Sequence, residues 1–157
     1  MTLSFHHLRD IPVAELVTLL NDKDVRRHMP LAGGHWDEKS AAAWAVGKDA
    51  QWVENGYGPW AIRLDGVFAG WGGFQKEGDD VDLGVVLLPA FWGHGKAILE
   101  SLLERGFLEL GFASVTILLP PSRVRLKSLF RLGFVADGEV IYRDERFLKF
   151  RLHRPEG

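Results

Sequence analysis

The sequence predicts an α/β fold in which helices flank a mixed β-sheet. An apolar face first recurs at helical spacing, through Val13, Leu16 and Leu20. Two strand-like runs then surround an Asp-Gly turn in PWAIRLDGVFAGWGGFQ, a pattern typical of a β-hairpin. Beyond the hairpin, apolar strands alternate with helical stripes. The length of 157 residues suits one domain, residues 1–157, with a substantial core.

The first third of the chain predicts one strand and two helices. LSFHHLR is typical of a strand, and Asp10 is placed to cap a helix that carries Pro12 in its first turn. Asp37 is placed to cap a second helix, whose alanines and tryptophans share one side. The segment NGYG then indicates a turn before the hairpin.

The rest of the chain predicts alternating strands and helices. DDVDLGVVLLP, rich in Val and Leu, is typical of a strand buried on both faces. A helix over 96–110 ends at Gly111, SVTILL forms another strand, and RLKSLFRLGF forms a short helix that ends at Gly133. EVIYRD and RFLKFRLH alternate like an edge hairpin. The predicted order is β-α-α-β-β-β-α-β-α-β-β.

Composition excludes several functional classes. The net charge of -2 argues against a general nucleic-acid binder. The absence of cysteine excludes a thiol nucleophile, a thiolate metal site and a disulfide framework. No run approaches the ~20 apolar residues of a membrane helix, and MTLSFHHLRD does not resemble a signal peptide. We therefore expect a cytoplasmic protein with neither a membrane nor a nucleic acid as partner.

The segment WGHGKA joins a predicted strand to a predicted helix. The first N–H groups of a helix lack internal partners, and the helix dipole favours a negative charge beside them. Glycines let the backbone approach a phosphate closely. The segment therefore indicates a phosphate site, and the alternative is a tight turn that needs glycine for its backbone angles.

Four segments together resemble the GNAT superfamily of N-acetyltransferases. WGHGKA after PAF is similar to the pyrophosphate loop of its ribosomal-protein N-terminal acetyltransferase branch. DVRRHMP with WDEKSAAAWA is similar to the first helices of that branch, YGPWAIRLDGVFAGWGGF to its second and third strands, and LFRLGF to its closing Leu-Gly-Phe. The resemblance covers nearly the whole chain, and the order and spacing of the segments make it specific.

The resemblance implies acetyl transfer from acetyl-CoA, as co-substrate, to an amine by direct attack in a ternary complex. It also implies a mostly antiparallel sheet that opens between its fourth and fifth strands, where the pantetheine arm inserts. The residues that it assigns to acetyl-CoA are Val85, Leu87, Trp92, Gly93, His94, Gly95, Lys96, Ala97, Ser122 and Arg125.

Three positions depart from the pattern of the superfamily. Ser122 stands where many members have Asn, Arg125 where the branch often has Ser, and Leu129 where other members have an acidic Tyr. The usual proton donors for the leaving thiolate are therefore missing. Either water supplies that proton, or the protein binds CoA without turnover.

Three residues are candidates for acceptor chemistry. Asp82 lies just before the apolar stretch that would bind acetyl-CoA, where relatives often carry an acidic residue. It is therefore a candidate proton acceptor. The alternative is a carboxylate on a strand surface. His35 and Trp36 are candidates to line the acceptor pocket, with a hydrophobic staple as the alternative for Trp36. The six histidines show no metal-ligand spacing, so we expect no metal.

These observations predict an acetyl-CoA-dependent N-acetyltransferase. Its acceptor is a small-molecule or peptide amine, and the protein is a monomer or a homodimer. One alternative is a CoA-binding domain without catalysis. Another is an α/β domain whose glycine loop binds a different phosphate ligand or none.

Overall fold

The computed structural model describes residues 2–27, 34–122 and 126–156. Its strands are β1 (Leu3–His6), β2 (Pro59–Leu64), β3 (Val67–Glu77), β4 (Asp80–Leu87), β5 (Ser114–Leu119), β6 (Val135–Tyr142) and β7 (Glu145–His153). Within the described residues they form one seven-stranded sheet in the order β1-β2-β3-β4-β5-β7-β6. Neighbours are antiparallel except β4 and β5, which are parallel. The predicted mixed α/β sheet is confirmed.

Helices cover both faces of this sheet. They are α1 (Val13–Asn21), α2 (Lys23–Arg27), α3 (Glu38–Asn55), α4 (Gly95–Glu104) and α5 (Lys127–Leu132). Buried side chains of α1 and α3 pack on one face, which we call the front face. Buried side chains of α4 and α5 pack on the opposite, back face. The element order is the predicted one with the short α2 added.

Two helix caps were predicted near the start of the chain, and one of these predictions is confirmed while the other is wrong. Asp37 caps α3, because its carboxylate accepts from the backbone N–H of Ser40 at 2.7 Å while the Ser40 hydroxyl accepts from the Asp37 N–H. Asp10 does not cap α1. It lies in a 3₁₀ turn, Leu8–Asp10, and Pro12 occupies the N-cap position without a side-chain cap.

The 3₁₀ turn is held by a buried carboxylate. Asp49 of α3 accepts from the backbone N–H groups of Leu8 and Arg9, each at 3.0 Å. Leu8 is fully buried. This long-range anchor sets the path of the chain into α1, and it has no local signature near Asp10.

The helix predicted over 96–110 has the right extent but two geometries. It is α-helical to Glu104, and the next turn, Arg105–Glu109, is a π-helix in which the Leu110 N–H donates to the carbonyl of Arg105. The wider turn occurs where Gly106 packs on Phe74, since a Cβ at Gly106 would lie 2.6 Å from the Phe74 ring.

The sheet opens between β4 and β5, as predicted. Their ladder consists of Asp82 opposite Thr116, so the later residues of both strands are not paired across this gap. The prediction that β4 is buried on both faces is wrong. Leu83 and Leu87 are buried at the back face, but Gly84 and Val86 at the front are only half-buried, because no strand completes the sheet beside them.

Candidate active site

Asp82 lies at the point where β4 and β5 meet. Its carboxylate accepts a hydrogen bond of 3.0 Å from the hydroxyl of Thr116, which is 1% exposed. Burial raises the pKa of Asp82 to about 7, the Thr116 hydrogen bond opposes this, and the charges of Glu77 and Asp80 add to it. A carboxyl with a pKa near neutrality can both accept and release a proton at physiological pH.

A charged network flanks this carboxyl on the same face. Asp80 bonds Lys149 at 2.5 Å and Arg151 at 2.8 Å, and Arg151 also bonds Asp137 at 2.9 Å. These hydrogen bonds hold the pKa of Asp80 below its usual value. The two cations of this network, Lys149 and Arg151, are therefore already engaged by other carboxylates.

The loop after β4 leads directly into α4. Residues Pro89–His94 form a 3₁₀ turn, and the indole N–H of Trp92 donates to the carbonyl of Leu87 at 2.8 Å. His94 is the N-cap of α4 and makes no side-chain cap. The first N–H groups of α4 are thus not capped by that side chain, beside the exposed residues Trp92, Gly93, His94, Lys96 and Ala97.

The two glycines of this loop are not required by the fold. Gly95 has ordinary helical angles, φ -56° and ψ -41°. A Cβ at Gly93 or Gly95 would meet no atom of the described residues within 4 Å. By contrast, Gly70 has φ +150° and a Cβ there would lie 2.0 Å from the carbonyl oxygen of Val86. The interpretation that the loop needs glycine for its angles is therefore wrong.

The other residues assigned to acetyl-CoA are spread over β4, the turn after β5 and the start of α4. Val85 is half-buried on the part of β4 that pairs with β3 but not with β5. Ser122 is exposed in the turn after β5, and Arg125 lies outside the described residues. Lys96 is exposed and 3.9 Å from Glu100, a surface pair of little energetic value. Leu129 is 8% exposed within the core, so this position supplies no proton donor.

Three tryptophans line the front face beside the opening. The ring of Trp36 meets that of Trp44 edge-on at 6.5 Å, and Trp44 meets Trp71 at 5.8 Å. The side-chain amide of Asn21 fixes the Trp36 backbone through two hydrogen bonds of 2.8 and 2.9 Å. Trp36 therefore belongs to a wall of this face, whereas His35 is exposed.

Sequence reasoning missed Lys48, which lies on the same wall. Its ammonium donates to Oε1 of Gln75 at 2.7 Å and lies 4.9 Å from the centre of the Trp71 ring. Burial lowers the pKa of Lys48. Its spacing from the buried Ala41 and Ala45 places it on the inner side of α3, and that spacing was the available signal.

The described residues contain neither a candidate metal site nor a helix that could span a membrane. No group of three or more His, Asp or Glu side chains there could hold a metal ion. None of the described helices is long and apolar enough to cross a membrane.

Solved structures with the same fold include several acetyltransferases. An acetyltransferase from Agrobacterium tumefaciens is 19% identical, with 96% of this chain and 90% of that chain covered and a TM-score of 0.76. The aminoglycoside acetyltransferase AAC(6')-Ib in complex with coenzyme A is 16% identical, with coverage of 98% and 94% and a TM-score of 0.75. A spermidine N-acetyltransferase chimera from Vibrio cholerae is 10% identical, with coverage of 98% and 95% and a TM-score of 0.75.

The profile of a protein family matches most of the sequence. The family is described as "Acetyltransferase (GNAT) domain", and the match spans residues 2–129, from β1 into α5. This range includes the opening between β4 and β5 and the glycine loop. The chain therefore belongs to the GNAT acetyltransferase family.

Proposed function

We propose that the protein is an N-acetyltransferase that moves the acetyl group of acetyl-CoA to a primary amine, with Asp82 as proton acceptor. The observation that carries this proposal is the half-buried Asp82 carboxyl, with a pKa of about 7, where β4 and β5 separate. An amine acceptor arrives as an ammonium and must lose a proton before it attacks. Asp82 is the acid that the opening presents to such an acceptor.

The second half of β4 and the glycine loop form the proposed acetyl-CoA site. The unpaired edge at Val85 and Leu87 adjoins the gap, and α4 begins just beyond it. The N–H of Gly95 donates to the carbonyl of Trp92, and no side chain caps α4. A helix N-terminus without a side-chain cap favours phosphate groups. The glycines at 93 and 95 support this placement, because no described residue fills the space above them. Glycine in a helix also costs about 1 kcal/mol relative to alanine, which applies to Gly95 in α4. The related fold that was solved with coenzyme A is consistent with it.

The chemical step then needs two proton movements. Asp82 takes one proton from the ammonium, and the free amine attacks the thioester carbonyl carbon. A C–N bond forms, the C–S bond breaks, and the electron pair leaves with the CoA sulfur. The second proton of the nitrogen reaches the thiolate through water, since the position of the usual acid holds the buried Leu129. Asp82 returns its proton to solvent.

A CoA-binding domain without catalysis is the alternative that the missing acid favours. The raised pKa of Asp82 favours catalysis, because a carboxyl kept buried at this point costs stability and serves no evident packing role. The ribosomal-protein N-terminal branch, to which the loop is similar, would place peptide N-termini among the acceptors.

The proposal is tested first by acetyl-CoA binding. Acetyl-CoA at ~100 times its Kd stabilises a protein by ~2.7 kcal/mol, which a thermal melt detects. Gly95→Glu adds bulk and like charge on the proposed phosphate path and should abolish this shift. Gly47→Glu is the matched control, since Gly47 is an equally open glycine in α3. Equal shifts in both variants would contradict the proposed site.

Turnover is tested with a library of amines, by the release of free CoA thiol. The library contains four classes of amine: peptides with free N-termini, polyamines, aminoglycosides and amino acids. Release of CoA that depends on one class of amine supports the enzyme. A clear acetyl-CoA shift without release from any arm would favour the non-catalytic alternative.

A further inference from the structure

The front face carries a shallow trough next to Asp82. Gly73 of β3 lies opposite Gly84 of β4, so no side chain rises from either position. Trp71 opposite Val86 forms one bank of the trough. The other bank is formed two residues further along each strand by Gln75 opposite Asp82.

One glycine of the trough has no structural reason to be glycine. A Cβ at Gly73 would lie 2.7 Å from the backbone of Pro59, so packing requires glycine there. At Gly84 a Cβ would meet no atom within 4 Å in the part of the chain that the structure describes, and the φ of Gly84 lies outside the left-handed region. The floor is thus left open at β4, on the side where the strand has no partner beyond Asp82.

At the β3 end of the trough, where Gly73 is buried, the side chain of Lys48 contacts both banks. The Lys48 ammonium bridges the banks, 2.7 Å from Gln75 Oε1 and 4.9 Å from the centre of the Trp71 ring. Among the described residues, no carboxylate lies within ion-pair distance of Lys48, and burial alone accounts for its lowered pKa. Trp71 is 5% exposed, and its indole N–H is buried without a partner.

We propose that this end of the trough binds a carboxylate of the acceptor, so that the substrate is an amine that also carries an acid. The inference rests on the proposed acetyl transfer. Lys48 is half-buried, and an ammonium that is partly withdrawn from water without a counter-ion is costly. A carboxylate on Lys48 would supply the missing charge. Polyamines and aminoglycosides would instead bring further positive charge against Lys48.

The fold also limits the spacing of the two groups in the acceptor. Lys48 lies above β3, and the gap where the amine would react begins beyond β4. The carboxylate and the reactive amine are therefore separated by one to two strand spacings, roughly 5 to 10 Å. A peptide N-terminus followed by Glu fits this spacing, and so does an ω-amino acid.

Matched acceptors test the proposal directly. The peptide arm compares Ala-Glu-Ala-amide, Ala-Gln-Ala-amide and Ala-Lys-Ala-amide. The small-molecule arm compares 6-aminohexanoate with 6-aminohexanamide. A charge-assisted hydrogen bond predicts a kcat/KM at least about 10-fold higher for an acid than for its amide. The arm with the larger ratio identifies the source of the carboxylate.

Variants assign this preference to Lys48. Lys48→Met should bring the acid-to-amide ratio to about one, and Lys48→Arg should keep most of it. Lys39→Glu is the control, because Lys39 is exposed on the same helix. Thermal melts show whether each variant is folded. If Lys48→Met does not fold, the comparison is made between Lys48→Arg and the wild type. An acid-to-amide ratio near one in the wild type, or a ratio that survives Lys48→Met, would overturn the proposal.

A binding measurement separates this inference from the proposed function. Calorimetric titration of Ala-Glu-Ala-amide and Ala-Gln-Ala-amide into the CoA-loaded protein needs no turnover. Tighter binding of the acidic peptide, lost in Lys48→Met, supports the carboxylate site even if no acetyl group moves. Turnover of amines without preference for the acids would uphold the acetyltransferase and overturn the carboxylate site.

Discussion

Asp80 and Asp82 lie on the same strand and face the same side of the sheet, yet their environments shift their pKa values in opposite directions. Asp80 bonds Lys149 and Arg151, which lower its pKa. Asp82 bonds only the neutral hydroxyl of Thr116 among the residues described, and burial raises its pKa to about 7. The pKa of an acidic residue on this strand is therefore decided by its hydrogen-bond partners and its burial, and not by its position along the strand.

The difference also shows how the sheet protects a reactive acid from nearby cations. Lys149 contributes the smallest of the named effects on the pKa of Asp82, and its ammonium bonds Asp80. The charge of Asp80 itself raises the pKa of Asp82. Asp80 thus acts on Asp82 twice, through its own charge and through the cations that it binds.

The largest effect is expected from removing the reactive acid. Asp82→Asn keeps the shape and removes the base, and loss of a general base lowers a rate about 10²–10⁴-fold. Acetyl-CoA affinity should stay unchanged, as measured by the thermal shift. Asp79→Asn, in the exposed turn before β4, is the control and should turn over normally. A rate for Asp82→Asn within about threefold of wild type would mean that Asp82 is a surface carboxylate.

The same substitution should stabilise the fold at alkaline pH. Because the pKa of Asp82 is raised on folding, its contribution to stability is fully present below pH ~4 and is lost as pH rises through ~7. Ionised Asp82 then costs up to ~4 kcal/mol. Asp82→Asn should therefore melt several degrees above wild type at pH 8, at about 2–4 °C per kcal/mol, and close to it at pH 4. Equal melting temperatures at pH 8 would show that the Asp82 carboxyl is well solvated.

Local features were predictable because they depend on neighbouring residues. The Asp65-Gly66 turn has φ values of 50° and 81°, and Gly133 ends its helix at φ 104°. The cap at Asp37 is also local. Asp82 could be singled out because it precedes an apolar strand. Its raised pKa could not be predicted, because it comes chiefly from burial in the assembled sheet. The hydrogen bond that opposes this rise comes from Thr116, 34 residues further along the chain.

Features that depend on the assembled sheet could not be predicted from local sequence patterns. The open front of β4 at Gly84 follows from where the ladder to β5 stops. The resemblance to the superfamily implied that opening, but the Val- and Leu-rich pattern alone led to the wrong prediction of a strand buried on both faces. Lys48 gains its surroundings from Gln75 and Trp71, on a strand that follows α3 along the chain. Contacts between side chains that are distant in the sequence are only weakly reflected in the local hydrophobic pattern.

A smaller effect is expected from the partner of Asp82. Thr116→Val keeps the shape and removes the hydrogen bond that lowers the pKa of Asp82. The acidic limb of the kcat/KM profile should move to higher pH by about one unit, since hydrogen bonds to charged groups contribute about 1.5–3 kcal/mol. Thr116→Ser keeps the hydroxyl and should leave the limb in place. A limb that stays in place in the valine variant as well would show that the hydroxyl does not act on this carboxyl.

The smallest effects come from the neighbouring network, and their opposite signs test the comparison itself. Asp80→Asn removes an anion that raises the pKa of Asp82, so the acidic limb should move to lower pH. Lys149→Met removes a cation that lowers this pKa, so the limb should move to higher pH. Both shifts should stay below about one unit, because partly exposed charges are screened by solvent and salt. Asp80→Asn should shift the limb more, since it also releases Lys149 and Arg151 toward Asp82. Profiles that move in the same direction in both variants would show that the network acts by holding the strands together, and not through its charge on Asp82.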